Sequence, residues 1–178
     1  HKLSETMQAL SEITNIDWLV LSWNGRAYNG IFFNNPIGWI VSHINSNFAL
    51  FKCNGVMRFN KVLLAIRPNS RDTVKLIETT NKLCMYYNAE FTLLHVVSAD
   101  MSIEQVNNIK LKANDLLKGT KGNLLLVPSE NPIDTVSDLT AEHDLLVIGT
   151  PRKDTWATML FGTGKDKFAV NSACSVLR

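Results

Sequence analysis

Short runs of aliphatic residues that alternate with helix-type patterns constrain the fold of this chain more than any other feature. Four such runs lie at residues 62–66, 91–97, 124–127 and 145–148, and a fifth begins at Cys174. Predominantly apolar runs of this kind are typical of strands that are buried on both faces of a parallel sheet. Because parallel strands need crossover connections, the alternation predicts an α/β fold with right-handed crossovers.

Helix signals occupy the gaps between these runs. Ser102, followed three residues later by Gln105, forms a capping box, and apolar residues continue from it at helical spacing. The pattern from Ile133 to Leu139 predicts a short helix, and another is predicted near residues 165–171. We predict a five-stranded parallel sheet in the order 3-2-1-4-5, with helices on both faces and ligand loops at the switch point of the sheet.

Composition excludes several classes of protein. Of the 178 residues, 46% are hydrophobic and 19% are charged, which is enough apolar material for a packed core. A net charge of +2 with scattered Lys and Arg predicts no nucleic-acid partner. Three distant cysteines, Cys53, Cys84 and Cys174, have no metal-ligand spacing, so we expect free thiols in a reducing compartment and no metal site. No apolar run is long enough for a membrane span.

The chain contains an internal repeat. A shift of 127 residues places residues 17–22 (DWLVLS) on residues 144–149 (DLLVIG) without a gap. The same shift places residues 47–50 (NFAL) on residues 174–177 (CSVL). Two strands and the segment between them therefore match in length and spacing, as repeated structural units do.

The repeat predicts the domain organisation. Residues 1–54 correspond to the C-terminal half of a first unit, residues 55–60 form a linker, and residues 61–178 form a second, nearly complete unit. A half unit cannot close its own sheet, so we expect further residues before His1.

The segment after the fourth predicted strand of the second unit has the spacing of a nucleotide loop. It reads Gly149, two residues, Arg152, nine residues, then Gly162 and Thr163. This is similar to the loop of universal stress proteins, in which glycine stands where Arg152 stands here. The resemblance implies the fold of that family, an adenine nucleotide alpha hydrolase-like sheet, for the second unit, together with half of another such unit.

Departures from the family pattern bear on nucleotide binding. Glycines let backbone N–H groups approach phosphate closely, whereas the side chain of Arg152 intrudes, although its guanidinium could bind an anion. Arg67 and Pro68 stand where nucleotide-binding members have an aspartate, and the first copy of the loop keeps only Gly25. We therefore expect a degenerate loop, no cofactor and no nucleotide partner; the alternative is a free-standing universal stress protein that binds ATP or AMP.

A second resemblance concerns the biological context. Residues 19–23 (LVLSW) and the segment from Trp39 to Phe51 resemble the cytoplasmic tails of cation–chloride cotransporters, members of the amino acid–polyamine–cation superfamily. The resemblance implies a regulatory and dimerisation domain on the cytoplasmic side of the cell membrane, with the membrane domain of the same transporter and a second copy as partners. Phe32, Phe33 and Trp39 are the interface candidates. An amino acid permease tail is the alternative within this superfamily.

No pattern indicates catalysis. His95 lies within an apolar run without a carboxylate or nucleophile placed beside it, so we interpret it as a core or strand-end histidine. Ser129 lacks a nucleophile-elbow motif. Asp17 and Asp144 occupy matching positions of the repeat, which favours a turn or cap role for both. We therefore predict no catalytic residues and no enzymatic activity.

Overall fold

The structure is a computed structural model that describes residues 5–6, 9, 17–26, 47–67, 72–150 and 165–178. Its described part contains seven strands: β1 (Trp18–Ser22), β2 (Asn47–Lys52), β3 (Lys61–Ile66), β4 (Glu90–Val97), β5 (Gly122–Pro128), β6 (Leu145–Ile148) and β7 (Ser175–Leu177). Its helices are α1 (Thr73–Tyr87), α2 (Ile103–Leu116), α3 (Pro132–Leu139) and α4 (Lys167–Asn171), with a 3₁₀ turn at Thr140–Glu142. Among these described residues, no helix has both the length and the apolar character to cross a membrane.

The chain divides into two compact units. The first combines residues 1–52 with residues 151–170, and the second combines residues 53–150 with residues 171–178. The sequence repeat predicts domain boundaries at residues 54 and 61. That the two parts are repeats of one structural unit stays a prediction.

In the first unit, β1 and β2 form a parallel pair. Trp18 is in register with Asn47 and Ser22 with Phe51. The backbone N–H of Trp23 donates to the carbonyl oxygen of Phe51 at 2.9 Å, so the pairing continues one residue past β1.

In the second unit, all strand pairs are parallel. β3 pairs with β4 on one side and with β6 on the other, β4 also pairs with β5, and β6 also pairs with β7. The strands of this unit therefore lie in the order β5-β4-β3-β6-β7. Central strands β3, β4 and β6 supply most of the fully buried large side chains: Val62, Leu63, Leu64, Phe91, Leu93, Leu94, Leu145 and Leu146.

The predicted α/β class with a mostly parallel sheet is confirmed, but the predicted strand number and overall order are wrong. The described residues form seven strands rather than five. The reason is that β1 and β2 are complete strands, so the five-strand order does not describe the chain as a whole.

Capping residues mark the start of α2 and the end of α1. The side chain of Ser102 accepts a hydrogen bond from the Gln105 backbone at 3.2 Å, and Gln105 Oε1 accepts one from the Ser102 N–H at 2.9 Å. The predicted capping box of α2 is thus confirmed. At the end of α1, Asn88 adopts the left-handed conformation with φ of 52°, a conformation that asparagine tolerates better than most residues.

Candidate ligand site at the switch point of the sheet

A crevice is expected where the sheet of the second unit changes direction. From β3 the chain passes through α1 to β4 on one side, whereas β6, on the other side of β3, is reached from β5. The connections after β3 and β6 therefore diverge, and ligands of α/β sheets bind outside the carboxyl ends of strands at such a point. Ala65 and Ile148 are in register there, so Arg67 and Gly149 follow at the same edge.

Arg67 and Thr150 connect the carboxyl ends of β3 and β6. Arg67 Nη2 donates a hydrogen bond of 2.6 Å to the carbonyl oxygen of Thr150. Both residues are exposed, so the guanidinium keeps donors available for a further acceptor, since arginine carries five N–H groups in a planar fork. The guanidinium therefore places a positive charge at the carboxyl ends of β3 and β6.

Gly149 lies under helix α1. A Cβ atom at this position would stand 2.7 Å from Leu76 Cδ1. A side chain at residue 149 would therefore require the end of the Leu76 side chain to move, and glycine avoids this contact where the loop after β6 begins. Gly149 is half-buried, and it is the predicted loop residue that the structure describes.

The N-terminus of α1 differs from those of α2 and α3. Asp72, at the N-cap, makes no side-chain capping hydrogen bond, and the first turn of α1 contains no acidic residue. By contrast, α2 is capped by Ser102 and carries Glu104, and α3 is capped by Asn131 and carries Asp134. The N–H groups of the first turn of α1 thus receive no side-chain cap, and the acid nearest to this helix end is Asp72 itself.

His95 lies near the same edge but inside the sheet. It is buried, in register with Ile66 of β3 and Leu126 of β5. Burial lowers the pKa of its imidazole below the ordinary value of 6.5. Its Nε2 atom has no hydrogen-bond partner among the described residues. The interpretation as a core histidine agrees with this placement, and the imidazole is neutral at pH 7.

A carboxylate that the sequence analysis did not single out ties two neighbouring loops together. Glu130 Oε1, just after β5, accepts hydrogen bonds from Ser98 Oγ at 3.1 Å and from the Ala99 N–H at 2.9 Å, just after β4. An exposed glutamate after a strand gives no distinctive signal in the sequence, because its partners lie about thirty residues away. These two hydrogen bonds connect the segment after β5 to the segment after β4, next to the switch point of the sheet.

Arg152, Gly162 and Thr163 of the degenerate loop lie outside the described residues, as do the interface candidates Phe32, Phe33 and Trp39. Within the described ranges, no group of three or more His, Cys, Asp or Glu side chains is placed to hold a metal ion.

The sequence matches no protein-family model and no curated protein. Solved structures do match it. A universal stress protein from Archaeoglobus fulgidus DSM 4304 aligns with 97% of this chain and 63% of its own, with a TM-score of 0.65 and 14% identity. The fold is similar to that of universal stress proteins. At this level of identity, the likeness shows the fold alone.

Two further structures with this fold contain nucleotides. One is the universal stress protein from Archaeoglobus fulgidus in complex with dAMP, which aligns with 67% of this chain and 97% of its own, with a TM-score of 0.53 and 15% identity. The other is a universal stress protein in complex with cAMP, with coverages of 67% and 94%, a TM-score of 0.53 and 22% identity.

These complexes contradict the expectation that nucleotide is not a partner. That expectation rested on two arginines, Arg152 in the loop after β6 and Arg67 at the end of β3. The physical reason for the error is that the order of the strands, rather than one loop glycine, sets the switch point at which ligands of α/β sheets bind. The matching structures give no support to the expected partners of a transporter tail, namely a membrane domain and a second copy of the chain.

Proposed function

We propose that this chain is a regulatory module that binds an adenine nucleotide at the carboxyl ends of β3 and β6. The observation that carries the proposal is the hydrogen bond between Arg67 and the Thr150 carbonyl, which brings a cation to the switch point of the sheet. The dAMP and cAMP complexes of proteins with this fold support the choice of ligand.

In this proposal, Arg67 and the N-terminus of α1 bind the phosphate. The guanidinium can donate to a phosphate oxygen while it keeps its bond to Thr150, because its remaining N–H groups point in other directions of the same plane. The first turn of α1 adds partial positive charge, and its N–H groups receive no side-chain cap from Asp72. In this proposal, the Arg67 guanidinium binds the phosphate in place of the loop glycines that the sequence lacks.

We further propose that the nucleotide is bound without turnover. His95 is the described histidine nearest to this edge, and it is buried between Ile66 and Leu126 rather than in the crevice. Glu130 is engaged by Ser98 and Ala99. Neither group is therefore placed as a general base for an attacking water.

Calorimetric titration with AMP, dAMP, cAMP and ATP tests the proposal. We expect saturable binding of at least one of these nucleotides to the 178-residue chain. Arg67→Ala should weaken it about tenfold or more, because a hydrogen bond to a charged group contributes about 1.5–3 kcal/mol. Product analysis after prolonged incubation should show the nucleotide unchanged.

Arg58→Ala is the matched control, since Arg58 is also exposed but precedes β3 at the opposite edge of the sheet. It should leave the affinity unchanged. No binding at millimolar nucleotide, or equal losses for Arg58→Ala and Arg67→Ala, would remove the proposed site.

A regulatory domain of a membrane secondary transporter is the second candidate. Trp23 favours it, because the resemblance to cotransporter tails rests on a strand end that carries this tryptophan. Trp23 is buried, and its Nε1 donates to the Arg26 carbonyl at 2.8 Å. Hydrophobic spans in the complete gene product, about twenty residues each, would support this candidate, and their absence would remove it.

A further inference from the structure

Large apolar side chains of the second unit are exposed at the amino edge of its sheet. Helix α1 ends at Tyr87 and β4 begins at Glu90, so the last turn of α1 lies where the strands begin. In that turn, Met85 is 62% exposed and Tyr86 is 84% exposed. Met57, shortly before β3, is 100% exposed. Apolar surface is therefore presented to solvent at this edge.

Contacts between aromatic rings connect these two segments. The ring centroids of Tyr86 and Tyr87 lie 5.0 Å apart and those of Tyr87 and Phe59 lie 5.4 Å apart, both in edge-to-face geometry. Phe59 follows Met57 by two residues. Met57 and Tyr86 therefore belong to one contiguous patch, and contiguous exposed apolar patches mark interaction sites in a way that scattered single residues do not.

Three exposed cations flank the apolar side chains. Arg58 lies in the segment before β3, Lys82 lies in the last two turns of α1, and Lys121 precedes β5. The backbone N–H of Lys121 donates to Asn81 Oδ1 at 3.3 Å, and Asn81 Nδ2 lies 3.7 Å from Met85 Sδ. Lys121 is thereby brought beside the end of α1. We call this surface the amino-edge patch, and its members are Met57, Arg58, Lys82, Met85, Tyr86 and Lys121.

The amino-edge patch keeps a net positive charge. Within the described ranges, none of its three cations forms an ion pair. Two acids near this edge each have a lysine beside them. Asp115 Oδ1 lies 2.6 Å from Lys118 Nζ, and Glu90 is in register with Lys61. The cations of the patch are therefore available to an anionic partner.

These features favour an anionic lipid bilayer as that partner. A twofold contact with a second copy would bring like charges together, because such a contact pairs identical surfaces. Side chains as exposed as Met57 and Tyr86 protrude from the surface, whereas ligands and peptide anchors need a concave pocket. A fluid bilayer accepts protruding side chains, and tyrosine is enriched where lipid headgroups meet hydrocarbon. Lys and Arg are attracted to the negative surface potential of anionic lipid.

We propose that the amino-edge patch binds the surface of an anionic lipid bilayer. Met57, Met85 and Tyr86 insert at the level of the headgroups, and the three cations contact the anionic headgroups. The aliphatic stems of Lys and Arg add apolar contact while their charged ends stay among the headgroups. The contact is peripheral and reversible, since three apolar side chains and three charges are far less than an inserted span.

The inference does not depend on nucleotide binding. Arg67 and Thr150 lie at the carboxyl ends of β3 and β6, whereas the amino-edge patch lies at the opposite edge of the same sheet. The fifteen residues of α1 separate the two edges by about 22 Å. Both sites can therefore be occupied at once, and each is testable without the other.

Co-sedimentation of the 178-residue chain with lipid vesicles tests the proposal. We expect binding to vesicles of equimolar phosphatidylcholine and phosphatidylserine at low salt, and little binding to vesicles of phosphatidylcholine alone. Binding should weaken steeply as salt is raised above physiological ionic strength, because salt screens exposed charges. Amide hydrogen exchange at residues 83–90 should slow on the anionic vesicles.

Variants with the same change in net charge locate the contact. Tyr86→Asp and Met57→Asp should each weaken vesicle binding at least about tenfold, because each places a negative charge where an apolar side chain enters the headgroup layer. Ile103→Asp is the matched control, since Ile103 is 82% exposed at the start of α2, at the carboxyl edge of the sheet. Met57 lies outside the helices and strands, so its variant keeps the test valid if Tyr86→Asp disturbs α1.

No binding to the anionic vesicles at low salt would overturn the proposal, and so would equal losses for Ile103→Asp and the two patch variants. Equal binding to both kinds of vesicle would show that the cations play no part, which also contradicts it. Sedimentation of the chain without lipid provides the other critical result. Self-association that Met57→Asp and Tyr86→Asp abolish would assign the patch to a second copy, and the proposed occupant would then be wrong.

Discussion

Arg67 Nη2 and the carbonyl oxygen of Thr150 lie 2.6 Å apart and connect the ends of two neighbouring strands across 83 residues of sequence. The bond links the residue after β3 to the second residue after β6. Because both partners are exposed, water competes for each of them, and the bond adds little to the stability of the fold.

Arg67→Ala should therefore reduce the free energy of unfolding by no more than about 1 kcal/mol, the usual net contribution of one hydrogen bond. Urea denaturation followed by circular dichroism measures this. A loss of several kcal/mol would mean that Arg67 holds the fold, and its effect on nucleotide affinity could not then be assigned to direct contact.

Asp144→Ala should destabilise the chain by about 1–3 kcal/mol. The substitution leaves the N–H groups of Asn60 and Lys61 without their carboxylate acceptor at the start of β3. Asp138→Ala, at an exposed position of α3, is the control and should change stability by less than about 0.5 kcal/mol. Equal denaturation midpoints for the two variants would contradict the assigned role of Asp144.

Stability should fall as the pH drops below 6.5, in part because of His95. Burial lowers the pKa of this imidazole in the folded state. The unfolded state therefore binds a proton at a higher pH than the folded state does, and acidification through the unfolded pKa favours unfolding. The stability that neutral His95 contributes is fully present above the pKa of this group in the unfolded state. It is lost as the pH falls, and the loss is complete below the pKa in the folded state.

His95→Leu should flatten this part of the stability profile between pH 7 and pH 5, measured by denaturant titration at several pH values. At pH 7 the variant should be as stable as the parent or slightly more so, because it removes a buried Nε2 atom that has no partner among the described residues. An unchanged slope would show that His95 does not contribute to the acid sensitivity.

Cys53 should react with thiol reagents in the native state, whereas Cys84 should not. Cys53 is exposed. Cys84 is buried, and burial raises the pKa of its thiol to about 11, so almost no thiolate is present at pH 8. Mass spectrometry after brief alkylation should find label on Cys53, and on Cys84 only in denaturant. Equal labelling of both in native buffer would mean that α1 opens readily.

Ser102→Ala should destabilise α2 by about 0.5–2 kcal/mol, because it removes the side-chain acceptor of the capping box. Asn107→Ala, at an exposed position within the same helix, is the control and should be neutral or slightly stabilising. Thermal denaturation of both variants compares them directly, and a Ser102→Ala variant with the parental midpoint would contradict the capping role.

Local chemistry explains what was predicted correctly. The apolar runs became β3 to β6, and Ser102 and Gln105 opened α2 as expected, because burial of a short aliphatic run and a capping box depend on neighbouring residues. The candidate site was predictable only in part. Gly149 stands out by its spacing, whereas the partner of Arg67 is a backbone carbonyl, and a carbonyl carries no residue-type signal in a sequence.

The sequence by itself determined the α/β class, the positions of the central strands and the equivalence of residues 17–22 with residues 144–149. Only the tertiary structure decided that Arg67 meets Thr150 and that Val20 is open while Val147 is covered. The physical reason is that burial and strand neighbours arise from pairing between distant segments. Two strands of matching sequence are buried to different extents when different elements pack beside them. The sequence pattern of the strand itself does not indicate which elements those are.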